Sequence, residues 1–298
     1  MSTYNGSLYI VEQINSILAQ NDVNVKIIIR DDGSQDDTVS KINELKAMHP
    51  NSIFLIEGNN VGYRKSFLNL FKYISEADYY CFSDQDDFWK PNKIINAINI
   101  LSNAENIGLY ASSLTLTDEH LNTLSQKTYN NRTFSLQSFF IRTQLAGCTY
   151  VFKPKIANFA KEFCELNYSS EEMPDHDALI CIITKSINMD IFIDSSSYIL
   201  HRRLENSQTA GKNFYKRLTV EIKRITRRKF CFQNTATEIL NSSVKDYLTN
   251  DNLKFLINIK LTNINILNRI NLIFDKLFST GNIILDFVGR IKLILKKY

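Results

Sequence analysis

The sequence predicts an α/β protein in which a largely parallel sheet is flanked by helices. Up to about residue 110, short strand-like apolar runs alternate with segments whose apolar residues recur at helical spacing. This alternation is typical of βαβ units. The 298 residues, of which 44% are hydrophobic and 22% charged, also suffice for one large domain and an additional segment.

Each element has its own signal in the sequence. Leu8, Val11 and Ile14 lie at helical spacing after the turn-forming pair Asn5-Gly6 and predict the first helix. The elements that follow are predicted alternately as strand and helix, in VNVKIIIR, TVSKINELKAM, SIFLIE, KSFLNLFKYIS, DYYCFS and PNKIINAINILSN.

The pattern is less regular beyond residue 110. It predicts strands in IGLYASSLTLT and CTYVF, helices near residues 154–166 and 176–187, and two short strands in DIFIDSSSYILH. Lys and Arg number 18 against 25 Asp and Glu in residues 1–211, but 17 against 6 in residues 212–298, so the net charge changes from −7 to +11. We therefore expect a domain over residues 1–211 and a mostly helical, basic C-terminal region over residues 212–298.

Two acidic loops follow predicted strands. Asp31 and Asp32 come after VNVKIII, and Asp84, Asp86 and Asp87 come after DYYCFS. Ligands of open α/β sheets bind at the carboxyl ends of strands, where these loops lie. Close carboxylates repel one another, and a hard divalent cation that prefers oxygen ligands would offset this repulsion. The DxD motif formed by Asp84 and Asp86 therefore predicts a Mg²⁺ or Mn²⁺ site, although short acidic loops are often only solvated.

Five motifs in order resemble the family 2 glycosyltransferases of the GT-A fold, which has a Rossmann-like, mainly parallel sheet. The branch they resemble is the rhamnosyltransferase-like one that builds bacterial cell-surface polysaccharides. The motifs are STYNG at 2–6, EQINSILAQ at 12–20, RDDGSQDDT at 30–38, NNVGYRKSF at 59–67 and SDQDDFWKPNK at 83–93. A fainter resemblance continues through LAGCTYVFKPKI and PDHDALI to about residue 211.

The resemblance implies an inverting, metal-dependent enzyme that moves a sugar from a nucleoside diphosphate to a growing surface polysaccharide or lipid-linked glycan. L-Rhamnose from dTDP-rhamnose is the first expectation for the donor, and a UDP-sugar is the second. In the matching positions, Asp84 and Asp86 hold the metal and Asp177 acts as general base. The nucleotide and its ribose are bound by Thr3, Tyr4, Asp31, Asp32 and Asp84.

Four of the implied residues have alternative interpretations. Asp177 opens a predicted helix, where the macrodipole favours any carboxylate, and Asp175 is its nearest competitor as the base. His201 in YILHRRLENSQTAG matches a metal-binding histidine in one alignment, whereas a second alignment puts Leu204 there. Arg202 and Arg203 are suited to a diphosphate, or they form a solvated pair.

The C-terminal region has a basic, amphipathic character. Apolar residues cluster at helical spacing with Lys and Arg opposite in NRINLIFDKLF and NIILDFVGRIKLILKKY. Such helices lie on anionic membrane surfaces, or they pack on the catalytic domain or on a second copy in a homodimer. A non-catalytic protein that binds sugar nucleotides or nucleic acid through its basic tail is the competing class, but no recognised nucleic-acid motif occurs, and we expect no nucleic-acid partner.

The remaining features concern location and the start of the chain. Five scattered cysteines without metal-binding spacing, no signal peptide and no long apolar run predict a cytoplasmic protein, with peripheral attachment to the inner face of the membrane. Family members have a hydrophobic strand before STYN, where this chain has only Met1 and Ser2. A truncated start or an incomplete sheet is therefore expected.

Overall fold

The structure is a computed structural model that describes residues 1–129, 132–165, 173–203, 232–262, 265–276 and 278–294. The chain divides into two compact units. Unit 1 comprises Met1–Tyr129, Leu145–Cys164 and Phe192–Glu205, and unit 2 comprises Asn130–Gln144, Glu165–Ile191 and Asn206–Tyr298. The predicted boundary between residues 211 and 212 lies outside the described residues.

Unit 1 begins with a parallel sheet. Its strands are β1 (Ser2–Thr3), β2 (Ile27–Asp31) and β3 (Ile53–Glu57), joined by α1 (Ile10–Leu18) and α2 (Thr38–Met48). The strands lie in that order, β1 and β3 each pair with β2 in parallel, and Thr3 is in register with Asp31. The predicted parallel sheet is confirmed, and it includes the two-residue strand β1, which the sequence did not predict.

The remaining strands of unit 1 form a second sheet. After α3 (Tyr63–Leu70) come β4 (Tyr80–Cys81), β5 (Phe88–Trp89), α4 (Lys93–Ser102), β6 (Ile107–Thr117), β7 (Thr123–Lys127), β8 (Val151–Phe152), α6 (Pro154–Glu165) and β9 (Asp190–Arg202). The strand order is β4-β8-β6-β9-β5, with β7 beside β6. The pairs β4–β8, β6–β8, β6–β7 and β5–β9 are antiparallel.

Strand β9 replaces the two short strands that were predicted in DIFIDSSSYILH. The serines in its middle favour a turn, but their polar groups find partners within the sheet. Thr115 donates a hydrogen bond to Ser197 Oγ at 2.9 Å, and the backbone N–H of Ser196 donates to Asp194 Oδ1 at 2.7 Å. The bond from Thr115 joins β9 to the neighbouring strand β6, whereas the bond to Asp194 is a local one of the kind found in turns, so β9 keeps part of the local turn preference.

The core of unit 1 lies between the parallel sheet and its helices. Ile14 of α1, Ile29 of β2, Ile42 of α2 and Ile53 of β3 have no exposed surface, and they belong to one apolar cluster. Trp89 and Ile199 from the paired strands β5 and β9 join the same cluster. The acidic loop that precedes β5 is therefore anchored in the core.

Unit 2 is helical in its described part, as predicted for the C-terminal region. Its helices are α5 (Leu136–Ile141), α7 (His176–Ser186), α8 (Phe232–Asn241), α9 (Asn250–Lys260), α10 (Ile266–Phe274) and α11 (Ile283–Ile294). Phe140 lies edge-on to Phe232 and Phe255, with ring centroids 5.9 Å and 5.3 Å apart. Among the helices formed by the described residues, none is long and apolar enough to cross a membrane.

Candidate active site

The first acidic loop is built around the buried carboxylate of Asp31, at the carboxyl end of β2. Its Oδ2 accepts hydrogen bonds from the backbone N–H groups of Gly33 and Ser34, at 3.0 Å and 2.8 Å. Its Oδ1 accepts from the Ser34 hydroxyl at 2.5 Å and from the Thr3 hydroxyl at 3.0 Å. Asp31 therefore fixes the turn and holds the end of β1 beside it.

Asp32 has a similar role on the other side of the turn. Its Oδ1 accepts from Arg30 Nη1 at 2.5 Å and from the Val61 N–H at 2.9 Å, and its Oδ2 accepts from the Gly62 N–H at 2.8 Å. Asp32 thus ties β2 to the loop before α3. Both predicted nucleotide-binding carboxylates are buried and bound to the chain itself, so their direct contact with a nucleotide stays a prediction.

Gln85, the middle residue of the DxD motif, links the second acidic loop to the first loop. The Tyr4 N–H donates to Gln85 Oε1 at 2.8 Å, and Gln85 Nε2 donates to the Tyr4 carbonyl at 3.1 Å. A Cβ atom at Gly6 would lie 2.5 Å from Gln85 Oε1, so a larger residue there would displace the end of the Gln85 side chain. Gln85 was not singled out from the sequence; its side-chain amide both donates and accepts, as the two bonds to Tyr4 require.

Four side chains of unit 1 form a possible metal site. Asp84, Asp87, Cys148 and His201 each offer one ligand atom, and these atoms all lie within 4.8 Å of one another. The pairing of Phe88 in β5 with Leu200 in β9 places Asp87 next to His201. The Nδ1 atom of His201 lies 2.8 Å from Asp87 Oδ1.

The structure brings together only part of the predicted metal set. Asp84 and His201 lie in this four-residue group, but Asp86 is outside it, and its metal role stays a prediction. Asp87 and Cys148 are members that the sequence analysis did not assign. Asp87 could have been found as the third carboxylate of its loop, whereas Cys148 is distant in sequence and carries no local signal.

The group fits a divalent cation because of the state of Asp87. This side chain has no exposed surface, and neither of its oxygens accepts a well-aligned hydrogen bond from the described residues. Buried carboxylates in proteins are normally paired or coordinate a metal. The ion pair with His201 meets this need only in part, which leaves room for a cation held by carboxylate and imidazole ligands.

Protonation follows from the crowding of the carboxylates. Burial, and then the neighbouring Asp87, raise the pKa of Asp86 to about 6. Burial disfavours the charged ring of His201, but Asp87, Asp84 and Asp86 together outweigh it and raise the histidine pKa. Protons therefore offset part of the negative charge, and a bound cation would take their place.

The side chain of Arg202 binds the backbone of the second acidic loop. Its Nη1 donates to the Asp86 carbonyl at 2.7 Å, its Nε donates to the Glu119 carbonyl at 3.0 Å, and its Nη2 forms an ion pair with Glu12. The guanidinium also lies over the Tyr9 ring, 4.6 Å from its centroid. The predicted diphosphate role of Arg202 therefore competes with a positioning role.

Arg203 differs from its neighbour. It is exposed, and its backbone N–H donates to the Thr117 carbonyl at 2.9 Å. Its contact with a diphosphate stays a prediction.

The predicted base Asp177 belongs to unit 2, in the first turn of α7. Its Oδ1 accepts a hydrogen bond from the Ala178 N–H at 2.7 Å, which is the contact expected of an acid at a helix start. Asp175 occupies the N-cap position without a side-chain capping bond. Burial lowers the pKa of His176 to about 4, so this ring is neutral at physiological pH.

Comparison with known proteins identifies the family. A model described as Glycosyl transferase family 2 matches residues 1–154. The dTDP-rhamnosyl transferase RfbG of Shigella flexneri is 32% identical over 263 residues, which cover 85% of this chain and 88% of RfbG. This chain belongs to glycosyltransferase family 2. It is therefore an enzyme of the glycosyltransferase class, which decides against the non-catalytic interpretation.

Solved structures share the GT-A fold. S. aureus TarS in complex with UDP-GlcNAc matches with a TM-score of 0.55 and 16% identity, over 92% of this chain and 75% of that chain. The mannosyltransferase PcManGT from Pyrobaculum calidifontis, in complex with GDP-Man and Mn²⁺, matches with a TM-score of 0.53 and 13% identity, over 100% of this chain and 86% of that chain. The chain spans only 17% to 46% of several other curated relatives.

The two neighbouring arginines are expected to respond differently to substitution. Arg202→Lys should lower the free energy of unfolding by about 1–3 kcal/mol, because a lysine cannot serve two carbonyls and a carboxylate with one planar group. Arg203→Lys should change it by less than about 0.5 kcal/mol, as is usual at exposed positions. Urea unfolding followed by the fluorescence of the single tryptophan, Trp89, measures both. Equal effects would contradict the positioning role of Arg202.

Proposed function

We propose that this family 2 enzyme is an inverting glycosyltransferase that uses Mg²⁺ or Mn²⁺ to bind a nucleoside diphosphate sugar. It transfers the sugar to a growing cell-surface polysaccharide or lipid-linked glycan. The observation that carries the proposal is the buried carboxylate of Asp87, which lacks an aligned hydrogen bond and faces Asp84 and His201. No other group in the described chain combines these ligands.

The nature of the donor is proposed from the relatives. RfbG, which aligns over most of the chain, is named a dTDP-rhamnosyl transferase. This supports dTDP-L-rhamnose as the first candidate donor. The TarS and PcManGT complexes contain UDP-GlcNAc and GDP-Man, so a UDP-sugar is kept as the second candidate.

Different residues of unit 1 would bind different parts of the donor. Asp84, Asp87 and His201 would hold the cation, with the Asp86 carboxylate beside them, and the cation would neutralise the charge that develops on the leaving diphosphate. Tyr4, a residue that is 43% exposed, offers a ring face on which a nucleobase would stack. Thr3, Asp31 and Asp32 fix the neighbouring loops through their hydrogen bonds.

The transfer step needs a group that removes the proton from the acceptor hydroxyl. Asp177 is the proposed base, and its partly exposed carboxylate is able to accept a proton. A base that activates the acceptor on the face opposite the leaving group inverts the anomeric configuration, by the same geometry that defines inverting glycosidases. The family resemblance of PDHDALI supports this assignment.

The first test separates the cation site from the fold. Asp87→Asn should weaken Mn²⁺-dependent binding of dTDP by at least about tenfold, because it removes a ligand charge that faces the cation. Asp86→Asn should also weaken Mn²⁺-dependent binding of dTDP if the Asp86 carboxylate reaches the cation. Isothermal titration with dTDP, with and without EDTA, measures the affinities.

Asp37→Asn is the matched control for this test. Asp37 is an exposed carboxylate in the first acidic loop, outside the cation group, and its substitution should leave dTDP affinity unchanged. Full affinity for dTDP in Asp87→Asn, together with no response to EDTA in the native enzyme, would refute metal-dependent donor binding.

The second test concerns the base. Asp177→Asn keeps the size of the side chain but cannot accept a proton, so donor binding should persist while transfer falls by about 10²- to 10⁴-fold. Asp175→Asn alters the neighbouring charge and should cost far less. Rates of both variants with one active donor and acceptor decide the assignment. A larger loss in Asp175→Asn would show that Asp175 is the base.

The C-terminal region is proposed to hold the enzyme at the inner face of the membrane. Exposed apolar residues follow one face of α10, at Ile266, Ile270 and Phe274, and one face of α11, at Ile283 and Phe287. The net charge of +11 in residues 212–298 complements anionic lipid headgroups. A lipid-linked acceptor would be presented at this surface.

Liposome flotation tests this attachment. Phe274→Ser and Phe287→Ser, at positions 78% and 62% exposed, should release the enzyme from anionic vesicles without loss of folding. Binding should also weaken with salt, since charge attraction is screened over about 8 Å at physiological ionic strength. Met48→Ser, at a position 65% exposed in unit 1, is the control and should bind normally. Equal flotation with neutral and anionic vesicles would contradict attachment to anionic lipid. A native homodimer that dissociates in the two serine variants would assign this apolar face to contact between two copies of the chain.

A further inference from the structure

The thiol of Cys148 lies inside the candidate cation site, and no role in the proposed function has been given to it. Its Sγ atom lies within 4.8 Å of one ligand atom each of Asp84, Asp87 and His201. The side chain is 3% exposed, so the sulfur faces the interior of the protein. Asp87 beside it is fully buried and lacks an aligned hydrogen bond.

The position of the sulfur is fixed by a rigid local structure. Cys148 is the middle residue of the 3₁₀ turn Gly147–Thr149. The backbone N–H and the hydroxyl of Thr149 both donate to the Ala146 carbonyl, at 3.0 Å and 2.7 Å, and the Ala146 N–H donates to the Tyr129 hydroxyl at 3.1 Å. A turn held on both sides presents its side chain in one place, as a metal ligand requires.

The donor atoms of the group are two carboxylate oxygens, one imidazole nitrogen and one sulfur. Mg²⁺ demands oxygen ligands and keeps much of its water. A set that includes sulfur and nitrogen is instead suited to Zn²⁺ or Co²⁺, for which thiolate and imidazole are preferred ligands. The sulfur therefore adds thiophilic cations to the Mg²⁺ or Mn²⁺ of the proposed function as ions that this site accepts.

The charges around the sulfur are consistent with a bound dication. Asp84, Asp87 and an ionised Cys148 supply three negative charges, which a dication and the ammonium of Lys93 would balance. Lys93 is fully buried, its Nζ has no hydrogen-bond partner among the described residues, and it lies 3.8 Å above the Trp89 ring. Burial lowers the pKa of Lys93, while burial and then Asp87 and Asp84 raise the pKa of Cys148 well above its usual value, so loss of the thiol proton requires the charge of the bound cation.

We propose that Cys148 is a metal ligand and that the site binds a thiophilic divalent cation, such as Zn²⁺ or Co²⁺, through its sulfur. On binding, the S–H bond breaks, its proton passes to solvent, and the sulfur bonds to the cation. The inference rests on the proposed cation site, but not on transfer activity or on the identity of the donor.

Cobalt spectroscopy tests the inference on the native protein without any donor. Co²⁺ bound to Cys148 should give a thiolate-to-cobalt charge-transfer band in the near ultraviolet, and Zn²⁺ should abolish the band by displacement. X-ray absorption of the zinc-loaded native protein should show one sulfur neighbour at about 2.3 Å. Both measurements use the native protein, so neither depends on whether a variant folds.

Variants then identify the sulfur. Cys148→Ser should remove the cobalt band and weaken Zn²⁺ binding at least about tenfold. Cys164→Ser, which alters another buried cysteine outside the group, should leave both unchanged.

The outcomes separate this inference from the proposed function. A native protein that gives no cobalt band and no zinc–sulfur distance, but binds dTDP with Mn²⁺, overturns the inference and leaves the proposed function intact. A cobalt band that disappears in Cys148→Ser, in a protein with no transfer activity towards any donor, supports the inference while the proposed function fails. A band that persists in Cys148→Ser also overturns the inference.

Discussion

The buried carboxylate of Asp87 is the group on which the architecture of the site depends. An ionised carboxylate without water costs several kcal/mol unless other groups compensate it. The strand pair β5–β9 supplies one such group, because Phe88 lies opposite Leu200 and the next residues along the strands, Asp87 and His201, come together. Lys93 of α4 interacts favourably with Asp87 when it is protonated, but burial lowers the pKa of this lysine. A bound cation would be the third such group, since both Asp87 oxygens still lack aligned hydrogen bonds from the residues that the structure describes.

A network of hydrogen bonds keeps the loops around this carboxylate in place. Asp31 and Asp32 use their oxygens on backbone N–H groups, Gln85 joins the DxD loop to Tyr4, and Arg202 binds the Asp86 carbonyl. These bonds hold the loops rigid before any ligand arrives, which lowers the entropy cost of binding. Several residues that resemble ligands in the sequence are therefore also parts of the scaffold.

The sequence was sufficient for the local features of the fold. The parallel strands β2 and β3 and their helices follow from apolar periodicity, whereas the short β1 does not, and the acidic loops follow from their position after strands. The second sheet could not be predicted in this way, because its antiparallel pairs join distant segments, such as β5 with β9. Its polar hairpin strand β7 was missed because all five of its residues are exposed and carry no apolar alternation.

The same limit explains why the cation group was predicted only in part. A DxD motif suggests that Asp84 and Asp86 act together, as alternate residues of an extended segment do. In the structure the backbone bends at Gln85 and Asp86, which brings residues i and i+3, Asp84 and Asp87, to the same place. Cys148 then enters the group through its own turn, 61 residues after Asp87 along the chain. The candidate ligand set is thus a property of tertiary structure, and its sulfur atom comes from a residue outside the motif.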